Sequence, residues 1–106
     1  MRMPQIATGE LKDRTLCITV HVSRLDAASS RDFKKLCDEF WQPGVERLTI
    51  DLGEVEFLDS SGVGALLSVY KKLPADKPSV KLLHVQPAVQ TVIELLRLHR
   101  IFTIVV

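Results

Sequence analysis

Residues 55–70 read VEFLDSSGVGALLSVY, an apolar run that stops at Asp59, passes two serines and meets Gly62 and Gly64 as helical spacing begins. Upstream, VERLTIDL carries Val45, Leu48, Ile50 and Leu52 as the apolar set of a short buried strand. Downstream, Val63, Leu66, Leu67 and Tyr70 recur at three and four residues, the mark of a helix, and LPADKP ends it. The stretch is therefore a strand-to-helix junction that carries an acid, two hydroxyls and two glycines. Four uses suit such a place: a capped helix start, a nucleophile, a phosphate cradle or a modification site.

Working outward, Leu16, Ile18, Val20 and Val22 alternate with polar or small residues, which is strand periodicity. A weaker extended segment around Gln5 to Leu11 precedes them, and the two suit a hairpin added to a sheet. After SRLDAASS, the residues Phe33, Leu36, Cys37 and Phe40 give a helix one apolar face, with Asp26, Ser29 and Ser30 all competent N-caps. QPG at 42–44 ends that helix. SVKLLHV reads as a further strand. Pro87 opens a third helix whose buried face is Val89, Val92, Ile93 and Leu96, with Arg97, His99 and Arg100 near its end, where cations suit the helix dipole. IFTIVV closes the chain as a strand. Strands separated by single helices imply parallel crossovers. The expectation is an α/β fold over residues 1–106 as a single domain, with a mostly parallel central sheet of four to five strands and three helices.

Bulk properties narrow the function classes. The 106 residues are 46% hydrophobic and 25% charged, ordinary values for a globular chain. Fourteen basic and thirteen acidic side chains give a formal net charge of +1, so no basic field argues for nucleic acid or an anionic membrane. No apolar run approaches the ~20 residues of a membrane span, and MRMPQIATGELKD lacks the apolar core of a secretory signal. Cys17 and Cys37 then read as reduced thiols packed as small hydrophobes. A cytoplasmic protein without membrane insertion is the expectation.

The junction fails three chemical readings. A nucleophile elbow needs glycine two residues either side of the serine, but Ser60 is flanked by Leu58 and Gly62, and Ser61 by Asp59 and Val63. A Walker loop needs lysine after its last glycine, and Ala65 follows Gly64; a dinucleotide loop needs a third glycine, and position 67 is leucine. His21, His84 and His99 sit in three different elements without ligand spacing, so no metal is expected. No cofactor is implied, and no base is evident that would make Ser60 an enzyme's nucleophile. Asp26 and Asp59 would both lie at carboxyl ends of parallel strands, although spacing alone does not bring them together.

What remains is the physics of a helix start. Asp59 or Ser60 can cap the helix, and Gly62 and Gly64 each cost ~1 kcal/mol relative to alanine, so side chains are unwelcome there for packing or for a partner's approach. A phosphate added to this serine would bring about −1.5 to −2 charges to free N–H donors at the positive end of the dipole. The helix would tolerate it; a docked protein would feel new bulk and charge. A plain cap with no further role is the alternative reading of D-S-S-G.

LTIDLGEVEFLDSSGVGALLSVYKKL resembles the signature segment of the STAS domain (sulfate transporter and anti-sigma factor antagonist), in which a buried strand leads through D-S-[ST]-G-[LIV]-G into a helix. TLCITVHVSRLDAASSRDFKKL is similar to that family's early strand, L-D turn and first helix, and VKLLHVQPAVQTVIELLRLHRIFTIVV to its later strand, helix and terminal strand. The resemblance implies a stand-alone anti-sigma factor antagonist. It implies Ser60 as the phosphorylated serine, a partner serine kinase that doubles as anti-sigma factor, and a serine phosphatase that restores the unphosphorylated form. Unphosphorylated antagonist binds the kinase and frees the sigma factor; phosphorylation breaks the complex. Asp59, Ser61, Gly62 and Gly64 match the rest of the turn, and Asp26 matches the aspartate of the L-D loop.

Two departures stand out. Many antagonists carry Gly-Glu before that Leu-Asp, whereas this chain has Ser23-Arg24, so Arg24 reverses a charge at the expected partner contact and points to a different cognate kinase. The chain also ends after IFTIVV, where antagonists commonly continue into a helix. A homodimer or a place in a larger complex is expected from the apolar edge this leaves. Related modules serve non-sigma pathways such as biofilm or secretion, or act as soluble subunits of transport complexes, and these are the alternative readings.

Overall fold

The computed structural model describes residues 6–76 and 78–106. Five strands form the main sheet: β1 (Ala7–Lys12), β2 (Thr15–Val20), β4 (Arg47–Asp51), β6 (Val80–Leu83) and β7 (Phe102–Val105), side by side in that order. β1 pairs antiparallel with β2, and every other neighbouring pair is parallel. A second sheet consists of only β3 (Arg24–Leu25) and β5 (Phe57–Leu58), also parallel. Three helices fill the connections: α1 (Ala27–Phe40), α2 (Ser60–Tyr70) and α3 (Pro87–Leu95), with a 3-10 turn at Leu98–Arg100. This is the expected α/β fold, with five strands in a mostly parallel central sheet and three helices.

The order of the strands decides where the helices go. β2, β4, β6 and β7 lie in chain order, and crossovers of one hand that all step the same way put their helices on one side. Burial follows that rule. Leu16, Ile18 and Val20 of β2, Leu48 and Ile50 of β4, and Val80 and Leu82 of β6 are buried. Thr15, Cys17, Thr19 and Thr49 on the other face are half-buried, and Lys81 and Thr103 are exposed. A parallel sheet usually has both faces covered; this one keeps a threonine-rich face open.

Between sheet and helices lies one core, to which Phe33 and Cys37 of α1, Ala65, Leu66 and Val69 of α2, and Val89 and Ile93 of α3 contribute. Each large apolar side chain so buried stabilises by about 1.5–3 kcal/mol. Tyr70 adds an edge-on contact to Phe102, with ring centroids 5.7 Å apart. α2 is the most enclosed helix, since Gly62, Val63, Ala65, Leu66 and Val69 are all buried.

Several boundaries differ from the sequence expectation. Leu96, expected on the buried face of α3, is 52% exposed: the helix stops at Leu95, and Arg97 turns the chain away in a left-handed conformation at φ 59°. β2 stops at Val20, before Val22, because the chain leaves the main sheet to form β3. The opening hairpin turns on Asp13 and Arg14, both at positive φ, a conformation that a two-residue turn requires. The Arg47 guanidinium donates to the Asp13 carbonyl at 2.8 Å and steadies that turn. Gln5, the proposed start of the first strand, lies outside the described residues. Both cysteines are free; Cys37 is buried, and burial with the charge of Asp38 pushes its thiol up to about 12.

Candidate functional site

The small sheet assembles the site. β3 and β5 pair in parallel with Arg24 opposite Phe57 and Leu25 opposite Leu58. The next residue of each strand is therefore an aspartate, and each aspartate starts a helix. Asp26 and Asp59 thus stand side by side at the carboxyl ends of paired strands, each bonded to its own helix.

At α1 the cap is complete. The Asp26 carboxylate accepts from the Ala28 and Ser29 amides at 3.0 and 3.3 Å, and the Ser29 hydroxyl accepts from the Asp26 amide at 3.1 Å. That reciprocal pair is a capping box. Arg24 Nε donates to the second carboxylate oxygen at 3.3 Å. Burial pushes the Asp26 carboxyl up, but the Ser29 amide, the Arg24 guanidinium, the Ala28 amide and the Ser29 hydroxyl outweigh it and hold the group below its ordinary value.

At α2 the cap is partial. Asp59 accepts from the Gly62 amide at 3.0 Å. The third helical residue is glycine, with no side chain to reach back, and the space for one is taken: a Cβ on Gly62 would lie 2.2 Å from the Leu25 carbonyl oxygen and 2.6 Å from a Leu58 methyl. Gly62 lets α2 seat against β3. The Ser60 and Ser61 amides, orphan donors of the first turn, have no hydrogen-bond partner among the described residues. Ser60 is exposed beside them, and Ser61 is half-buried.

The remaining sequence candidates fall around this point. Gly64 is exposed, and a Cβ there would meet nothing within 4 Å. Gly62 is buried, so among the residues expected at a partner surface it acts by packing rather than by touch. The Arg24 guanidinium lies 4.0 Å above the ring of Phe57, which is 39% exposed. Phe57 was missed in the sequence, where it reads as one more apolar residue of the run before Asp59. The histidines lie elsewhere: His21 contacts Glu54 and Thr8, and His84 contacts Asp51. Among the described residues no group of three or more His, Cys, Asp or Glu side chains could hold a metal.

The family model described as STAS domain matches residues 10–105. The chain belongs to the STAS family. Solved structures of the same fold include the anti-sigma factor antagonist SpoIIAA in its unphosphorylated form, at 24% identity and a TM-score of 0.75, over 94% of this chain and 88% of that one. An anti-sigma factor antagonist from Mycobacterium paratuberculosis matches at 24% identity and a TM-score of 0.78, over 99% and 90%. The phosphorylated form of SpoIIAA, a Bacillus cell fate determinant, matches at 22% identity and a TM-score of 0.69, over 94% and 91%. In this STAS domain the D-S-S-G turn is thus the start of α2. No helix among the described residues is long and apolar enough to cross a membrane.

Proposed function

We propose that this STAS domain is an anti-sigma factor antagonist of the partner-switching kind, regulated at Ser60. Unphosphorylated, the surface formed by Arg24, Asp26, Phe57, Asp59, Ser60, Ser61 and Gly64 docks a serine kinase that is also the anti-sigma factor. Phosphate on Ser60 releases it, and a serine phosphatase resets the switch. The domain is then a binding module, and the phosphoryl donor belongs to the kinase.

One observation carries this reading: Ser60 is exposed at the first position of α2, next to two backbone amides that have no partner among the described residues. A phosphate there can be received by those amides without disturbing the helix. Any docked protein would meet the added charge beside Asp59. SpoIIAA, solved in both unphosphorylated and phosphorylated forms, provides a precedent on the same fold. The exposed Arg24–Phe57 pair supplies residue types that anchor protein interfaces. Moving a complex from 99% bound to 1% takes about 5.5 kcal/mol of differential affinity.

The test compares immobilised Ser60→Ala and Ser60→Asp chains for capture of an ATP-binding serine kinase from the native host. Capture by Ser60→Ala and loss in Ser60→Asp is the expected result. Equal capture by both contradicts a switch at Ser60.

A further inference from the structure

We infer that the groove between α1 and α2 binds a tetrahedral oxyanion, phosphate or sulfate, as the free ion or as the head of a small ester. The groove encloses about 520 Å³, with Ser30, Arg31 and Lys34 contributed by α1 and Ser61, Gly64 and Ser68 by α2. Among the described residues its lining holds two cations and no acid. Neither Arg31 nor Lys34 has a carboxylate within 4.0 Å among the described residues, whereas Arg24 is paired with Asp26, and Lys72, farther along the same cleft, with Asp38.

The groove floor gives the second, independent sign. Ser30 is 5% exposed, and its hydroxyl is sealed from solvent without a hydrogen-bond partner among the described residues. A buried hydroxyl left unpaired costs free energy, and native structures seldom keep one without a use. Across the groove, the half-buried Ser61 presents a second hydroxyl from α2. The Ser68 hydroxyl is already spent on the Gly64 carbonyl at 2.9 Å. Gly64 offers no side chain, and the position a Cβ would take is open space. A ligand therefore meets Ser61, a guanidinium and an ammonium along the lining, with the Ser30 hydroxyl enclosed beneath and room to enter. A guanidinium fork with converging O–H donors matches tetrahedral oxyanions, and a rotation of Ser30 about its Cα–Cβ bond would turn its hydroxyl toward the anion.

Ser60 does not line this groove, although Ser61 and Gly64 are shared with the proposed docking surface; the test contains no kinase, so its failure is distinguishable from failure of the switch. The full chain, labelled with 15N, is titrated at constant ionic strength with inorganic phosphate, sulfate or glycerol 3-phosphate, and with chloride as the control. Saturable shifts at the Ser30, Arg31, Ser61 and Gly64 amides are expected with the oxyanions and not with chloride. Response to the free ions assigns the site to the oxyanion itself; response to the ester alone assigns it to a phosphorylated metabolite. Ser30→Ala should weaken binding at least about threefold and Arg31→Gln with Lys34→Gln about tenfold or more, readily resolved by titration. Ser30→Ala should leave the melting temperature unchanged or higher, since it removes an unpaired polar group. Shifts that track salt equally in chloride, that map elsewhere, or that persist unchanged in both variants overturn the inference.

Discussion

α1 and α2 each follow a two-residue strand, each takes an aspartate as its N-cap, and the two strands are paired. The four residues that make the starts are Asp26-Ala27-Ala28-Ser29 and Asp59-Ser60-Ser61-Gly62. In the first, Ser29 returns the hydrogen bond and closes the box. In the second, the equivalent residue is Gly62, because the Leu25 carbonyl stands where a side chain would be. The same local chemistry thus ends as a closed cap at α1 and as free amides beside an exposed hydroxyl at α2. Close seating against β3 leaves Gly62 no side chain to return a bond to the Asp59 amide, which reaches the Leu25 carbonyl at 3.4 Å instead. The Ser61 amide is open because Asp59 accepts from Gly62 alone, whereas Asp26 accepts from both the second and the third helical residue.

The largest expected effect tests that constraint. Gly62→Ala should cost roughly 2–3 kcal/mol in chemical denaturation, since backbone must shift to admit the methyl. A cost near zero would contradict the close seating of α2 against β3. Asp59→Ala should lose about 1 kcal/mol, the usual value of a cap. Asp26→Ala should lose more, because it removes a box instead of a single bond; equal losses would blur the distinction. Gly64→Ala should stabilise by about 0.5–1 kcal/mol, as open space receives the methyl and the helix gains propensity. Opposite signs at glycines two residues apart would be hard to obtain from any uniform account of the turn.

The smallest effect lies in acid. Asp26 is held below its ordinary carboxylate value of 3.8 in the folded protein, so its contribution is present above that value. It is lost as pH falls through the lower folded value. An acid titration of wild type and Asp26→Asn should therefore converge below about pH 4 and run parallel above it. Convergence on raising the pH instead would mean that the sign is wrong.

Much of this was legible in the sequence, for physical reasons that can be named. The alternation of Leu16, Ile18 and Val20 and the spacing of Val63, Leu66 and Tyr70 report one-sided burial, which is what a central sheet under helices imposes. The D-S-S-G turn was readable as a helix start because capping is a local interaction. β3 and β5 were not readable, since two residues have no period, and it is their pairing that joins Asp26 to Asp59. The different roles of Gly62 and Gly64 depend on the Leu25 carbonyl, far away in the chain. Leu96 misled because helical spacing runs on past the point where Arg97 turns the backbone. Arg31 and Lys34 carry no distinguishing signal in the sequence; only the placement of α2 beside α1 brings them to one groove with Ser61.

The most direct measurement is phosphosite mapping of the chain purified from its native source, read alongside its intact mass. Serines stand at both helix starts, so the chain carries its own control. The account predicts phosphate on Ser60, received by the open amides of α2, and none on Ser29, whose hydroxyl is bound within the closed cap of α1. Phosphate on Ser29, or a Ser60 that stays unmodified across growth, stress and starvation, would contradict it.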